Sequence, residues 1–257
     1  MTSAYIFSGF VVGAIVGVTG VGGGSLMTPL LMLLFGVHPA TAVGTDLLYA
    51  AITKMGGTTV HARKGHVDWK ITGRLAAGSI PATILTLSAL SYFGLPEKHL
   101  SVVISSVLGV ALLLTAVALI FKQRIQAFAL SHHSDHWRTR WLGPVTVATG
   151  ALLGVLVSLS SVGAGAIGVA VLFFLYPQLS AIRIVGSDLA HAVPLTLVAG
   201  IGHWMMGSVD WSLLGSLLIG SLPGIYLGSH LAARMPERLP RPVLASMLVL
   251  IGVKLLV

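Results

Sequence analysis

Apolar runs follow one another almost without interruption along this chain, at about 3–20, 26–37, 41–62, 71–94, 101–121, 143–159, 166–176, 185–206, 213–233 and 242–257. A helix needs roughly 20 apolar residues to cross the hydrocarbon of a bilayer. There the backbone must satisfy its own polar groups, so repeated runs of this kind admit helices and little else. The chain has 55% hydrophobic and 9% charged residues, too little polar surface to cover a soluble domain of 257 residues. The expected fold class is an all-α integral membrane protein, multi-pass, in the cell (cytoplasmic) membrane. It forms one membrane domain, because no polar stretch is long enough to build another. The first run is Gly-rich, with neither a basic leader nor a small-residue cleavage site, so it reads as a span and not as a removable signal peptide.

Charge and cysteine content narrow the chemistry. The net charge of +8 sits mostly in short loops, where it sets topology and does not form a nucleic-acid patch. Cysteine is absent, which excludes disulfides, thiolate metal sites and cysteine nucleophiles.

Two of the breaks between runs are unusual. Thr19-Gly20-Val21-Gly22-Gly23-Gly24-Ser25 places a backbone-exposing turn between two apolar runs, and the helix expected from Ser25 aims its positive end at that turn. This describes an anion site, although glycine also serves close helix packing in membranes. The run 166–176 is too short to span, and it follows a second small-residue turn, Ser158-Leu159-Ser160-Ser161-Val162-Gly163-Ala164-Gly165. The pattern predicts a re-entrant or broken helix, tolerated at membrane depth only where protein or a cavity surrounds it.

The sequence also repeats itself. Val43-Gly44-Thr45-Asp46-Leu47 reappears as Val185-Gly186-Ser187-Asp188-Leu189, and at the same offset His61 matches His203, Gly65 matches Gly207, Val67-Asp68-Trp69 matches Val209-Asp210-Trp211, and Gly78-Ser79-x-Pro81 matches Gly220-Ser221-x-Pro223. One residue of slippage brings Gly22 and Gly24 onto Gly163 and Gly165. Arg63, Lys64 and Lys70 mark one loop as cytoplasmic, Lys122, Arg124, Arg138 and Arg140 a second, and Arg234, Arg238 and Arg241 a third, whereas Gly207 to Trp211 carries no basic residue. Gly65 to Trp69 is therefore expected inside and its partner outside. The expectation is two inverted-topology repeats, about 1–121 and 141–257, joined by a cytoplasmic loop at about 122–140. Each repeat holds a broken or re-entrant helical hairpin plus about three transmembrane helices, an arrangement used by secondary transporters.

Gly20-Val21-Gly22-Gly23-Gly24, Pro29-Leu30-Leu31, Ala42-Val43-Gly44-Thr45 and His61-x-x-x-Gly65-x-Val67-Asp68-Trp69 resemble the TauE/SafE family of sulfite exporters, over nearly the whole chain and including the duplication. The resemblance implies export of sulfite or a small organosulfur anion from the cytoplasm, with no cofactor. The second half departs from the first, since Gly20, Gly23 and Pro29 have no Gly or Pro partners there.

The candidate substrate-binding residues are Thr19, Gly22, Gly23, Gly24 and Ser25 in the first turn and Ser160, Ser161, Gly163 and Gly165 in the second. Thr45, Ser187, Lys54 and His191 join them. Lys54 is a cation deep in a span, which calls for a partner, a cavity or a ligand; its repeat partner is Thr196. Asp46, about 12 Å away along a helix, is too far for direct contact within it. Asp46 and Asp188 read as structural, bonding the broken-helix backbone, with proton coupling as the alternative. His191, whose counterpart is Tyr49, suits anion binding or proton transfer. His61 and His203 read as structural. His132, His133, Asp135 and His136 match no closed metal site and read as a solvated loop. The expected partners are a small sulfur-containing anion and the lipid bilayer, with a homo-oligomer possible and nucleic acid excluded. The competing readings are an anion channel, and an intramembrane enzyme, for which no nucleophile and base stand in a recognised pattern.

Overall fold

A helix is the only element that lets each of these apolar runs bond its own backbone, and helices are what the chain forms. The computed structural model describes residues 2–19, 24–94, 96–131, 135–232 and 240–256. These form α1 (Thr2–Thr19), α2 (Gly24–Phe35), α3 (Pro39–Arg63), α4 (Trp69–Phe93), α5 (Glu97–Ser131), α6 (Asp135–Ser160), α7 (Ala166–Leu175), α8 (Ala181–Met205), α9 (Trp211–Ala232) and α10 (Pro240–Leu256), with no strand among the described residues. Over its described part, each of the ten apolar runs lies inside one helix, overrunning its end by at most two residues. Among the described residues five stretches are long and apolar enough to cross a membrane: Trp69–Phe93, Glu97–Phe121, Trp141–Ser160, Ala181–Met205 and Trp211–Gly228. At 1.5 Å per residue, α2 and α7 reach only about 18 and 15 Å, roughly half a bilayer.

The segment 122–140, expected as a loop, is largely helical: α5 runs to Ser131 and α6 starts at Asp135. Lys122, Gln123 and Arg124 end the apolar run without ending the helix, because all three are good helix formers.

The helices pair in a crossed pattern. α1 packs along α9 and α4 along α6, while α3 lies against α8 and α5 against α10. Glycine makes the first two pairings possible. A methyl on Gly9 or Gly13 would sit 2.5 Å from the carbonyl oxygens of Leu217 and Ser221, and one on Gly154 would sit 2.5 Å from that of Ser79. Gly13 and Gly154 correspond in the sequence repeat, as do Ser221 and Ser79. The first helix of each half therefore rests on the fourth helix of the other half through matching residues.

α3 and α8 run antiparallel at the centre. Gly44, early in α3, packs on His203 and Ser208 at the end of α8, and Gly186, early in α8, packs on His61 and His66 at the end of α3. Hydroxyls reinforce both ends: Asp210 N–H donates to Thr45 Oγ1 (3.1 Å), and Asp68 N–H donates to Ser187 Oγ (2.8 Å). Asp68 also caps α4, accepting from the amides of Lys70 and Ile71, as Asp210 accepts from Leu213 at the head of α9.

Candidate functional site

The second small-residue turn is a true break. α6 ends at Ser160 and α7 begins at Ala166. Between them Ser161 adopts φ 58°, Gly163 φ 127° and Gly165 φ 134°. Only glycine enters the latter two conformations freely, and left-handed Ser161 is held by its surroundings. α7 then doubles back along α6. A methyl on Gly168 would lie 3.5 Å from Leu153, and the hydroxyls of Tyr176 and Thr146 are 2.7 Å apart. Of the first four amides of α7, those of Gly168 and Val169 donate to the Gly163 and Gly165 carbonyls of the break (3.1 and 3.0 Å), so the amino end that faces the protein interior is that of Ala166 and Ile167.

Against this break the two central helices place their ionisable groups. Lys54 of α3, 7% exposed, donates from Nζ to the carbonyl of Ala164 in the break (3.1 Å). Its ammonium also lies within electrostatic reach of Asp188 and of Asp46. Thr28 of α2 donates to Asp46 Oδ2 (2.5 Å), and the Ser161 side chain lies beside the same carboxylate. Asp188 of α8 is seated on Gly168 of α7 and meets the Gly165 backbone. His191 Nε2 and Ser79 Oγ are 2.9 Å apart, and His203 Nε2 donates to the Ser158 carbonyl at 2.9 Å. Tyr49, the repeat partner of His191, faces Ser221, the repeat partner of Ser79.

Several buried polar atoms around this centre have no hydrogen-bond partner among the described residues: Asp46 Oδ1, Tyr49 OH, Ser161 Oγ, Asp188 Oδ1, His191 Nδ1 and His203 Nδ1. Buried polar groups are nearly always bonded, and an unpaired one costs about 1–3 kcal/mol, so a cluster of them marks a place where something else binds.

The structure gathers Lys54, Ser161, Gly163, Gly165 and His191, with Asp46 and Asp188, around the α6–α7 break. It engages the other hydroxyls elsewhere. Thr45 and Ser187 hold the ends of the α3–α8 pair, and Ser160 Oγ donates to the Leu156 carbonyl (2.7 Å) and accepts from Val162 N–H (3.2 Å), securing the turn itself. Thr19 closes α1, and Gly24 and Ser25 open α2. Gly22 and Gly23 lie outside the described residues, as do His132 and His133. Asp135 and His136 begin α6, and no group of three His, Cys, Asp or Glu able to hold a metal occurs among the described residues. Thr28 and Ser79 are site residues that sequence reasoning missed. Ser79 carried a signal, since it recurs as Ser221 in the repeated Gly-Ser-x-Pro motif; Thr28 carried none.

A profile of the family described as sulfite exporter TauE/SafE matches residues 5–255. The chain belongs to the TauE/SafE family. A probable membrane transporter protein of Bacillus subtilis, YjnA, is 38% identical over the full length of both chains. A second from the same organism, YdhB, is 31% identical over 89% of each. A third, MJ0441 of Methanocaldococcus jannaschii, is 27% identical over 98% of this chain and 94% of its own. No solved structure matches the chain. As a TauE/SafE member it is a multi-pass membrane transporter and not an enzyme.

Proposed function

We propose that this protein is a secondary transporter that exports sulfite or a small organosulfur anion across the cytoplasmic membrane, binding the anion between the α6–α7 break and the centre of the α3–α8 pair. The observation that carries this reading is Lys54. It is a buried cation whose hydrogen bond goes to a break carbonyl, among polar atoms that lack partners. An anion entering there meets a positive charge, the amino end of α7 and the Ser161 hydroxyl, which together supply the charge-assisted bonds a sulfur oxyanion needs. The first turn, Gly22 to Ser25, supplies the matching half of the site in this reading.

Alternating access follows from inverted repeats. Antiparallel α3 and α8, with matching residues exchanged at their ends, support a pseudo-two-fold axis lying in the membrane plane. Sidedness is supported as well, because Arg183 meets Asp68 (3.6 Å) and Arg74 lies beside Gly143, which gathers basic segments at one end of the molecule.

Efflux from proteoliposomes loaded with sulfite, thiosulfate, sulfoacetate or chloride tests the proposal. Saturable efflux of at least one sulfur anion, faster than chloride and weakened by Lys54→Met in folded protein, is expected. Equal rates for all four, or an unaffected Lys54→Met protein, would overturn it.

A further inference from the structure

The charges in the site do not balance for an anion. Asp46, Asp188 and Lys54 are all buried, at 0%, 2% and 7% exposed, and with both carboxylates ionised they leave the centre one unit negative before any substrate arrives. A sulfonate or bisulfite would make it two units negative in surroundings that screen charge poorly, which opposes binding. Something positive must enter with the anion, and among the described residues no further cation stands at the break.

Two features show where it goes. Asp46 receives the Thr28 hydroxyl and so has a donor that does not depend on Lys54. Among the described residues Asp188 receives no side-chain donor: its Oδ1 is unpartnered, the Gly165 backbone supplies its hydrogen bond, and its main electrostatic support is Lys54. Among the described residues the other titratable groups within reach of the same Lys54 ammonium are Asp46 on α3 and His191 on α8, while His61 of α3 stands against Gly186, two residues before Asp188. α6 and α7 present Leu153, Gly165 and Gly168 there, none of which titrates.

We infer that anion and proton occupy this site together: the anion neutralises the Lys54 ammonium, whose field supports Asp188 without touching it, and a proton on Asp188 replaces that support. The inference deepens the transport reading above and depends on it. The balance is simple, because the anion brings one negative charge, the proton one positive charge onto the Asp188 carboxylate, and no bond of the substrate is made or broken. Transport of a monovalent anion is then electrically silent, and the membrane potential alone does not drive it. Binding is reciprocal, so a lower pH strengthens anion binding as the anion strengthens proton uptake.

The test uses purified full-length protein in detergent with methanesulfonate, thiosulfate and sulfite. The first two are anions whose own charge does not change near neutral pH. Binding is measured calorimetrically in buffers of differing ionisation enthalpy, which counts protons. The expected result is uptake of one proton per methanesulfonate bound, with affinity rising up to tenfold for each unit fall in pH. Asp188→Asn should bind the anion with no proton uptake and a flat pH profile. If the sulfur anions bind wild type with no proton uptake, or if Asp188→Asn still takes up the proton, the coupling is wrong while the transport reading stands. If none of the three anions binds, the site reading falls and the coupling with it. The wild-type proton count decides the matter even where Asp188→Asn does not fold.

Discussion

Replacing Gly168 by alanine tests the contact that sets α7 against α8. The added methyl would overlap Asp188 Oδ1 and lie 3.1 Å from its Cγ. Turning the carboxylate about its own axis moves the oxygen but not Cγ, so rotation alone does not clear the clash. Relaxed carbon–carbon contacts lie at about 3.5–4.0 Å, so Asp188 and α7 must part by about 0.4–0.9 Å. Asp188 is only 2% exposed and Leu153 closes the far side of Gly168, so there is little room to retreat. Overpacking of this kind costs about 1–3 kcal/mol. For a chain of this length that corresponds to a fall of about 2–12 °C in the unfolding midpoint. Thermal unfolding in detergent reads the stability, and efflux from proteoliposomes reads the site. Removing the carboxylate as well, in Gly168→Ala with Asp188→Ala, should restore much of the lost stability but not the efflux, a coupling of about 0.5–3 kcal/mol between the two positions. Gly73→Ala, with nothing within 4 Å of its methyl, is the control and should be neutral or slightly stabilising. A Gly168→Ala protein that unfolds and transports like wild type would show that Asp188 is not seated on α7.

Three further outcomes are expected. Single cysteines at His66 and Ser208, introduced into this cysteine-free chain, should react with a membrane-impermeant maleimide from opposite sides; reaction from the same side would end the inverted-repeat reading. Lys54→Met leaves the Ala164 carbonyl without its donor and the two carboxylates without their cation. It should slow sulfite efflux by about 10- to 160-fold, one charge-assisted bond of about 1.5–3 kcal/mol, and Lys54→Arg is expected to retain more activity than Lys54→Met. Asp68→Ala and Asp210→Ala each remove a helix cap and should lower stability by about 1 kcal/mol, whereas Arg183→Gln, at a half-exposed ion pair, should change it by less than that; chemical denaturation of the three variants orders them.

Hydropathy made the ten helices legible, because the bilayer leaves an apolar segment no alternative to helix. The duplication was legible because Val-Gly-[Thr/Ser]-Asp and Val-Asp-Trp survive in both halves, and the structure shows why they match: the first motif of one half holds the loop carrying the second motif of the other. That contact gives Thr45 and Ser187 employment at the ends of α3 and α8. Spacing along the chain did not disclose this, since both hydroxyls look equally suited to a substrate. Lys54 stood out as a cation in an apolar run, but its acceptor, Ala164, is a backbone carbonyl 110 residues away that no side-chain pattern signals. Thr28 was invisible for the same reason, as one threonine among the small residues of an apolar helix until α3 brings Asp46 beside it.

The crossed pairing of first and fourth helices has a consequence for how the protein is made. Helices enter the membrane in order as the ribosome delivers them, yet the glycine face of α1 has no companion until α9, residues 211–232, has been synthesised. α4 likewise waits for α6. A nascent chain stopped at residue 140 has Gly9 and Gly13 of α1 without Leu217 and Ser221, and Ser79 of α4 without Gly154. Chains truncated there are expected to be degraded faster than the full-length protein, because two of its helix pairings cannot form in them.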